Sequence, residues 1–471
     1  MRFFLAIYSL LTAATLLVVG SAARSPTNLT LTGHITPDQI FSFVNTPSKA
    51  LALNSLDLGI FDPHGVGATN SETGFSGSRG WSGGFRNNFT LSGWDATPGY
   101  SAGPLLLGTW NVVLGPYATN RSGIDWTLDI SLSYDVPSDS VLWSPALAPI
   151  YKQTFPASSP SRWLRGDFHM HSIYSDGRYL PSEQIAHALE YNLDFIFFSE
   201  HNTDSGNNNI GRWIPANASN LLIGRAIEVT TRHGHWQAIG LERFQQVDWR
   251  HTNASNDTGY VDAATQVRNS GGIVSINHPF ENCSRCDWTL DWEHNDAIEV
   301  WNGRFDDKDE MAIKFWQSEL VKGKKITALR GSDAHSPPDI NGLPTTVVKV
   351  EDEKSQLSIV EGVKRGRVYL VEGPGMKLDF GVVYAGGSKK ADIGNIIART
   401  DLDNNSYASF SATGFQGAKA CFVTEVGYVK NVSIVNAQQI QHGVAAMEFI
   451  RVEVRNGSDI LLGLTNPIYF S

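Results

Sequence analysis

The sequence predicts an α/β protein: a β/α barrel flanked by an N-terminal β-sandwich and a small C-terminal β-rich domain. Between residues 163 and 371, apolar runs of strand length alternate with amphipathic stretches of helical period. On either side the chain breaks into short alternating runs separated by Gly- and Pro-rich turns, with no long amphipathic helix. Ten of the 13 histidines fall between His169 and His335, most of them where a strand is expected to stop. Barrel chemistry gathers at such strand ends, because the following loops converge on one mouth.

Taken in order, residues 1–23 have the layout of a cleavable secretory leader: Arg2, an apolar stretch, then Ser21, Ala22 and Ala23. The alternative is an uncleaved anchor, since the stretch approaches the length of a membrane span. Residues 28–136 carry "SLDLGIFD" and "TWNVVLG", divided by "GFSGSRGWSGG" and "DATPGYSAGP", the pattern expected of the sandwich. A Pro- and Ser-rich linker covers 137–162. Barrel strands are expected near 166–169, 194–199, 222–230, 236–240, 272–277, 297–301, 326–331 and 346–350, with helices near 181–191, 262–269, 308–322 and 353–364. From 372 to 471, runs such as "SYASFSA", "CFVTEVGYV" and "FIRVEVRNG" return to short strands.

Composition limits the function. With 471 residues, 41% of them hydrophobic, the chain has material for more than one packed core. Lys and Arg number 37 against 47 Asp and Glu, a net charge of −10, and no basic run could track a phosphate backbone. Long nucleic acid is therefore not an expected partner, whereas a small phosphate ester remains possible if metal ions supply positive charge locally. Ten Asn-x-Ser/Thr sequons, at Asn28, Asn88, Asn120, Asn217, Asn253, Asn256, Asn282, Asn404, Asn431 and Asn456, fit an N-glycosylated, secreted protein with no membrane contact once the leader is removed. Cys283 and Cys286 of "NCSRC" are the expected disulfide in an oxidising compartment, with two free thiols as the alternative, and Cys421 is left over.

The strand ends read "DFHMHSIYSD", "FIFFSEHN", "GRAIEVTTRHGHW", "IVSINHPF", "IEVWNG" and "LRGSDAH". On an extended strand, His169 and His171 would project to one side while Asp176 swings in from the loop. Any one of these endings could be a hydrogen-bonded structural histidine. Together they would bury so many polar and ionisable groups in one cavity that divalent cations are the simplest compensation. Imidazole and carboxylate donors without thiolate suit zinc, manganese or iron.

This ordered set, HxH plus Asp, "SEHN", a Glu followed by "GHW", "NHP" and "GSDAH", resembles the PHP (polymerase and histidinol phosphatase) metallohydrolases over roughly residues 33–370. "EVTTRHGHW" and "EVWNG", with "DPHG", "RGWSGG" and "ATPGY" upstream, are most similar to the branch typified by bacterial carbaryl hydrolases. The resemblance implies a distorted seven-stranded barrel with two or three divalent ions. It implies that His169, His171, Glu228 and Asp333 hold a first ion, that Glu228, His235 and His278 hold a second, and that Asp176, His201 and His335 hold a third. Two positions depart from the family pattern: Glu200 stands where many relatives have Asp, and Asp176 where some three-metal relatives have His.

The expected mechanism is hydrolysis by a hydroxide held between two cations roughly 3.5–4 Å apart, with no protein nucleophile. His233 is a candidate proton donor to the leaving oxygen, weighed against an ordinary loop histidine, and Glu299 a candidate to orient a ligating histidine. The leading expectation is a secreted phosphoesterase for small mono- or diesters. The alternatives are a carboxyl or carbamate ester hydrolase on the same ions, and a catalytically inactive surface- or glycan-binding protein.

Overall fold

The computed structural model describes residues 13–18, 27–35, 55–64, 69–70, 74–75, 77–118, 122–255, 257–281, 286–435, 437–444 and 446–471. Most of the leader stretch, Cys283 and the sequons at Asn120, Asn256 and Asn282 lie outside them. Among the described residues no helix is long and apolar enough to cross a membrane.

In the N-terminal section, strands Ala13–Val18, Gly108–Ala118, Ser55–Phe61 and Ser78–Trp81 lie side by side in that order, and Thr27–Ile35 pairs with Ile124–Leu132. The strand Ala13–Val18 falls inside the stretch read as a leader. Alternation sorts the residues: Leu58, Ile60, Val112 and Leu114 join Leu31, Ile130 and Leu128 in one small core. From the opposite face, Phe61 and Val113 enter the main core of the molecule.

That main core belongs to the central section, whose strands are β1 (Ser161–Asp167), β2 (Phe195–Phe198), β3 (Leu222–Thr231), β4 (Gly234–Ile239), β5 (Ile273–Asn277), β6 (Ala297–Asn302), β7 (Thr327–Gly331), β8 (Thr345–Glu351) and β9 (Val368–Val371). Helices α1 (Pro181–Glu190), α2 (Gly259–Asn269), α3 (Asp307–Val321) and α4 (Gln356–Lys364) fall between them. β2, β5 and β7 are buried along their whole length, so they carry no in–out alternation, and β2 reads as a continuous apolar run. Each helix buries one stripe, as α1 does with Ile185 and Ala188, and α3 starts where the Asp306 side chain accepts hydrogen bonds from the backbone of Lys308 and Asp309.

The strands run β7-β6-β5-β4-β3-β2-β1-β8-β9 in one mixed sheet. Neighbours are parallel except β3/β4, β4/β5, β1/β8 and β8/β9. Five strands lie between the two ends of the β7-to-β1 path, yet the segments that follow those ends meet: Asp333 N–H donates to His169 O at 2.9 Å and His171 N–H to Ala334 O at 3.0 Å.

The chain after residue 372 does not stand apart from this sheet. Its strands β10 (Lys419–Thr424), β11 (Phe449–Arg455) and β12 (Leu461–Thr465) continue it, with β12 antiparallel to β9. Asn466 caps the join: its side chain donates to Ala328 O and Val368 O and accepts from Ala328 N–H. Cys286 is disulfide-bonded, and Cys421 is a buried free thiol.

Candidate metal centre

β1 stops at Asp167, two residues before the expected end. The cause is the Asp167 carboxylate, which accepts from the backbone N–H of His169, Ser332 and Gly342 at 3.0, 3.2 and 2.7 Å and so ties the turn after β1 to the turn after β7. His169 and His171 therefore lie beyond the strand instead of on it. They still converge, because Met170 forms a bridge with Ala334 between them. Their Nε2 atoms lie 3.2 and 3.1 Å from Asp333 Oδ1.

Glu228, wholly buried on β3, is the hub. Its Oε2 lies 3.3 Å from His169 Nε2, 3.3 Å from His171 Nε2 and 3.0 Å from His201 Nδ1. Its Oε1 lies 3.3 Å from His235 Nδ1 and 3.1 Å from His278 Nε2. Asn277 donates to the same Oε1 at 2.9 Å. Beside this hub, Asp176 Oδ1 meets His201 Nε2 at 3.4 Å and His335 Nε2 at 3.2 Å.

The donor atoms fall into three overlapping groups, each within 4.8 Å: His169, His171, Glu228 and Asp333; His171, Asp176, His201 and His335; and His201, Glu228 and His235. The structure thus brings all nine candidate ligands together but shares them differently from the resemblance. His171 belongs to two groups, and His201, expected only with Asp176 and His335, also sits with Glu228 and His235. His278 reaches the centre through Glu228 Oε1.

Burial alone would push the Glu228 and Asp333 carboxyls up, but the surrounding imidazoles, His169 foremost, hold both well below the usual carboxylate range. Burial would likewise lower His169, yet Asp333, Glu228 and Glu299 hold it well above an ordinary histidine. His235 goes the other way, to about 4, because burial dominates there. On the N-terminal section, burial raises Asp57 to about 7 against the pull of His201.

The supports are as specific as the cluster. Glu299 Oε1 lies 3.0 Å from His169 Nδ1, the orienting contact expected of it, and its Oε2 accepts the His278 backbone N–H at 3.1 Å. Asn302 ties Glu299 to Asp333, donating at 3.0 and 3.3 Å. Gly331 is glycine because a Cβ there would lie 2.3 Å from His169 Cβ and 2.6 Å from Glu299 Oε1. His278 and Asp333 hold φ values of 24° and 50°, left-handed conformations that cost strain outside glycine and concentrate at functional sites. Glu200 braces the loop instead of joining the cluster, accepting from Ser175 Oγ at 2.6 Å, from Ser172 N–H at 3.2 Å and from the Ser172 hydroxyl.

Structures similar to this chain are PHP-like metal-dependent phosphoesterases and an amidohydrolase. One is a two-domain protein from Bacteroides vulgatus, described as containing a predicted PHP-like metal-dependent phosphoesterase, at 18% identity over 69% of this chain and 98% of that one, with a TM-score of 0.38. A candidate metal-dependent phosphoesterase from Bifidobacterium adolescentis shares 16% identity over 37% of this chain and 90% of its own, with a TM-score of 0.27. An amidohydrolase from Chromobacterium violaceum, with bound sulfate and no metal, shares 16% over 43% and 96%, with a TM-score of 0.27. No family model and no curated protein matches the sequence. None of these comparisons singles out the carbaryl-hydrolase branch.

The donors fit divalent ions on their own account. His169 Nε2, His171 Nε2, Glu228 Oε2 and Asp333 Oδ1 are buried without a hydrogen-bond partner, and all four belong to one donor group. A buried polar atom left so costs about 1–3 kcal/mol, and a shared cation removes that penalty for all four.

His233 joins none of the three groups; its Nδ1 lies 3.2 Å from Thr289 Oγ1 and its carbonyl accepts the Thr289 N–H at 2.8 Å. Sequence reasoning missed Asn277, Asn302 and Tyr117, whose hydroxyl lies 3.4 Å from His235 Nε2. Asn277 and Asn302 stand inside "NHP" and "EVWNG", so the motifs marked their neighbourhood without marking their role.

Proposed function

We propose that the chain is a PHP-type metal-dependent phosphoesterase that hydrolyses small phosphate mono- or diesters and acts outside the cell. The observation that carries this reading is Glu228: its two oxygens face five imidazoles, three on Oε2 and two on Oε1, the arrangement of a carboxylate shared between ions. Zinc or manganese suits the mixed nitrogen and oxygen donors, with iron a third option. His169, His171, Glu228 and Asp333 would hold one ion, Glu228 with His235, His201 and His278 a second, and Asp176, His335, His171 and His201 a third. Divalent ions there would supply Lewis-acid polarisation of an ester oxygen and a lowered pKa for the attacking water.

The protein's own part is to bind and orient. Asp176 and His335 have side chains 35% and 30% exposed, against 0–1% for His171 and Glu228, so the centre opens to solvent on their side and the ester enters there. In hydrolysis the water oxygen bonds to phosphorus, the P–O bond to the leaving group breaks, and the leaving oxygen takes up a proton. The exposed sequon asparagines Asn28, Asn88, Asn217, Asn253, Asn404 and Asn431 support glycosylation in a secretory pathway.

Elemental analysis of the purified protein tests the metal. Turnover of p-nitrophenyl phosphate, bis(p-nitrophenyl) phosphate and p-nitrophenyl acetate with added manganese or zinc then tests the reaction. Two or three ions per chain with phosphate ester turnover is the expected result. Turnover of the acetate alone would move the reading to carboxyl esters, and a chain that binds no ion would overturn it.

A further inference from the structure

The N-terminal section reaches into the metal centre. Strands Ser55–Phe61 and Gly108–Ala118 pair with Asp57 opposite Gly115. Because Leu58, Ile60, Val112 and Leu114 point into the small N-terminal core, alternation sends Asp57, Phe61, Val113 and Tyr117 to the other face. That face lies on the central section: Phe61 stacks on Trp249 at 6.0 Å, and Phe61 and Val113 both belong to the main core. Gly59 lies on the same face, where a Cβ would sit in ordinary contact with the Trp249 ring at 3.5 Å.

The same section grips loops that carry candidate ligands. Arg86 donates to Ile173 O at 2.6 Å and Ser175 O at 3.1 Å, between His171 and Asp176. Thr203, two residues past His201, donates to Gly99 O at 2.9 Å. At the centre itself, the Tyr117 hydroxyl lies 3.4 Å from His235 Nε2, while the other nitrogen of that ring, Nδ1, lies 3.3 Å from Glu228 Oε1.

Resting on the metal-centre reading above, we propose that Tyr117 is a positioning residue of the centre: its hydroxyl oxygen accepts the Nε2 hydrogen of His235 and so presents Nδ1 to the ion shared with Glu228. A histidine that ligates through one nitrogen is oriented, and its tautomer set, by the partner of the other nitrogen. Here the partner comes from the N-terminal sheet, across the main core. The sheet is then a working part of the centre, although the ligand motifs all lie beyond residue 160.

Zinc titration of the full-length chain, by calorimetry or competition with a chromophoric chelator, tests this without any ester. Tyr117→Phe removes only the hydroxyl and keeps the ring, so the fold is not at risk. One zinc equivalent should weaken by about 10- to 100-fold while the others keep their affinity. In a His235→Ala background, Tyr117→Phe should cause no further loss. Unchanged zinc affinity in Tyr117→Phe, or the same loss persisting without His235, would overturn the assignment. Absence of zinc binding by the parent chain would sink the metal-centre reading and this inference together, whereas normal parental binding with an unaffected Tyr117→Phe sinks only the inference.

Discussion

His278 and Asp333 are the residues at which sequence and structure constrain each other most tightly, because each is held at positive φ and each faces the buried hub. Alanine tolerates positive φ less well than His or Asp, so His278→Ala and Asp333→Ala should cost some stability, yet they should abolish turnover and reduce bound metal while the circular dichroism spectrum stays native. Native rates in both would remove the site. Glu299→Gln leaves every donor atom in place but weakens the hold on His169, and should lower metal affinity by about 10- to 100-fold. The pH dependence follows from the imidazoles. Without ions, His169, His201 and His278 are held above the ordinary histidine range by neighbouring carboxylates, so they carry protons that an ion must expel. Apparent affinity should therefore fall as pH falls from about 8 to about 5.5, with protons released on binding. Calorimetry in buffers of different ionisation enthalpy measures that release directly, and a pH-independent affinity would contradict the proton inventory. The ligands were legible because each ends an apolar run; Asn277 and Asn302 were not, since an amide that holds a ligand leaves no periodic trace.

Among the elements, most of the buried strands were legible within a residue or two because short, mainly apolar runs bounded by turns have few other uses. β9 (Val368–Val371) was not among the expected strands, and β1 was displaced. It begins at Ser161, inside the stretch read as linker, and stops at Asp167, because pairing with β8 sets its start and the Asp167 carboxylate its end. Neither influence is local in sequence. The same holds for β11, where Glu453 accepts from Arg451 and Arg455 at 2.7 Å each and Arg455 reaches Glu310 of α3 at 2.9 Å. These guanidiniums, with Glu453, are almost fully enclosed, so Glu453→Gln leaves Arg451 without a counter-charge and Arg455 with Glu310 alone, and should cost roughly 3–5 kcal/mol at neutral pH. Burial would raise Glu453, but Arg451 and Arg455 hold it down to about 2 from an ordinary 4.5. A depressed carboxyl contributes stability in full above its unfolded value and loses it as pH falls through its folded value. The stability gap between parent and Glu453→Gln should accordingly narrow between about pH 4.5 and about pH 2, which urea unfolding at a series of pH values would measure.

At the scale of the whole molecule, the boundary placed at 371/372 by the change in sequence pattern is where the structure joins its parts. Pairing of β9 with β12 links positions such as Leu370 and Leu464, far apart in the chain, and such pairing leaves no local signature. The shared core makes the joint substantial: Phe449, Leu461 and Leu464 belong to the same main core as Phe168, Val300 and Leu329. Asn466 hydrogen-bonds β7 and β9 at once. A chain ending at residue 371 would expose the β9 edge and empty those positions, and truncating buried Leu or Phe side chains costs about 2–5 kcal/mol each, comparable in sum to the stability of a typical domain. The central and C-terminal sections should therefore unfold together in a single calorimetric transition of the metal-loaded protein. Chelation should move that transition to lower temperature, because ions that bind only the folded state stabilise it in proportion to the logarithm of their concentration. The chain truncated after 371 should be insoluble or unfolded at any metal concentration. Two transitions, of which only one shifts with chelator, or a soluble truncated chain that still binds metal, would show that the C-terminal strands are an appendage and not part of the structure that holds the site.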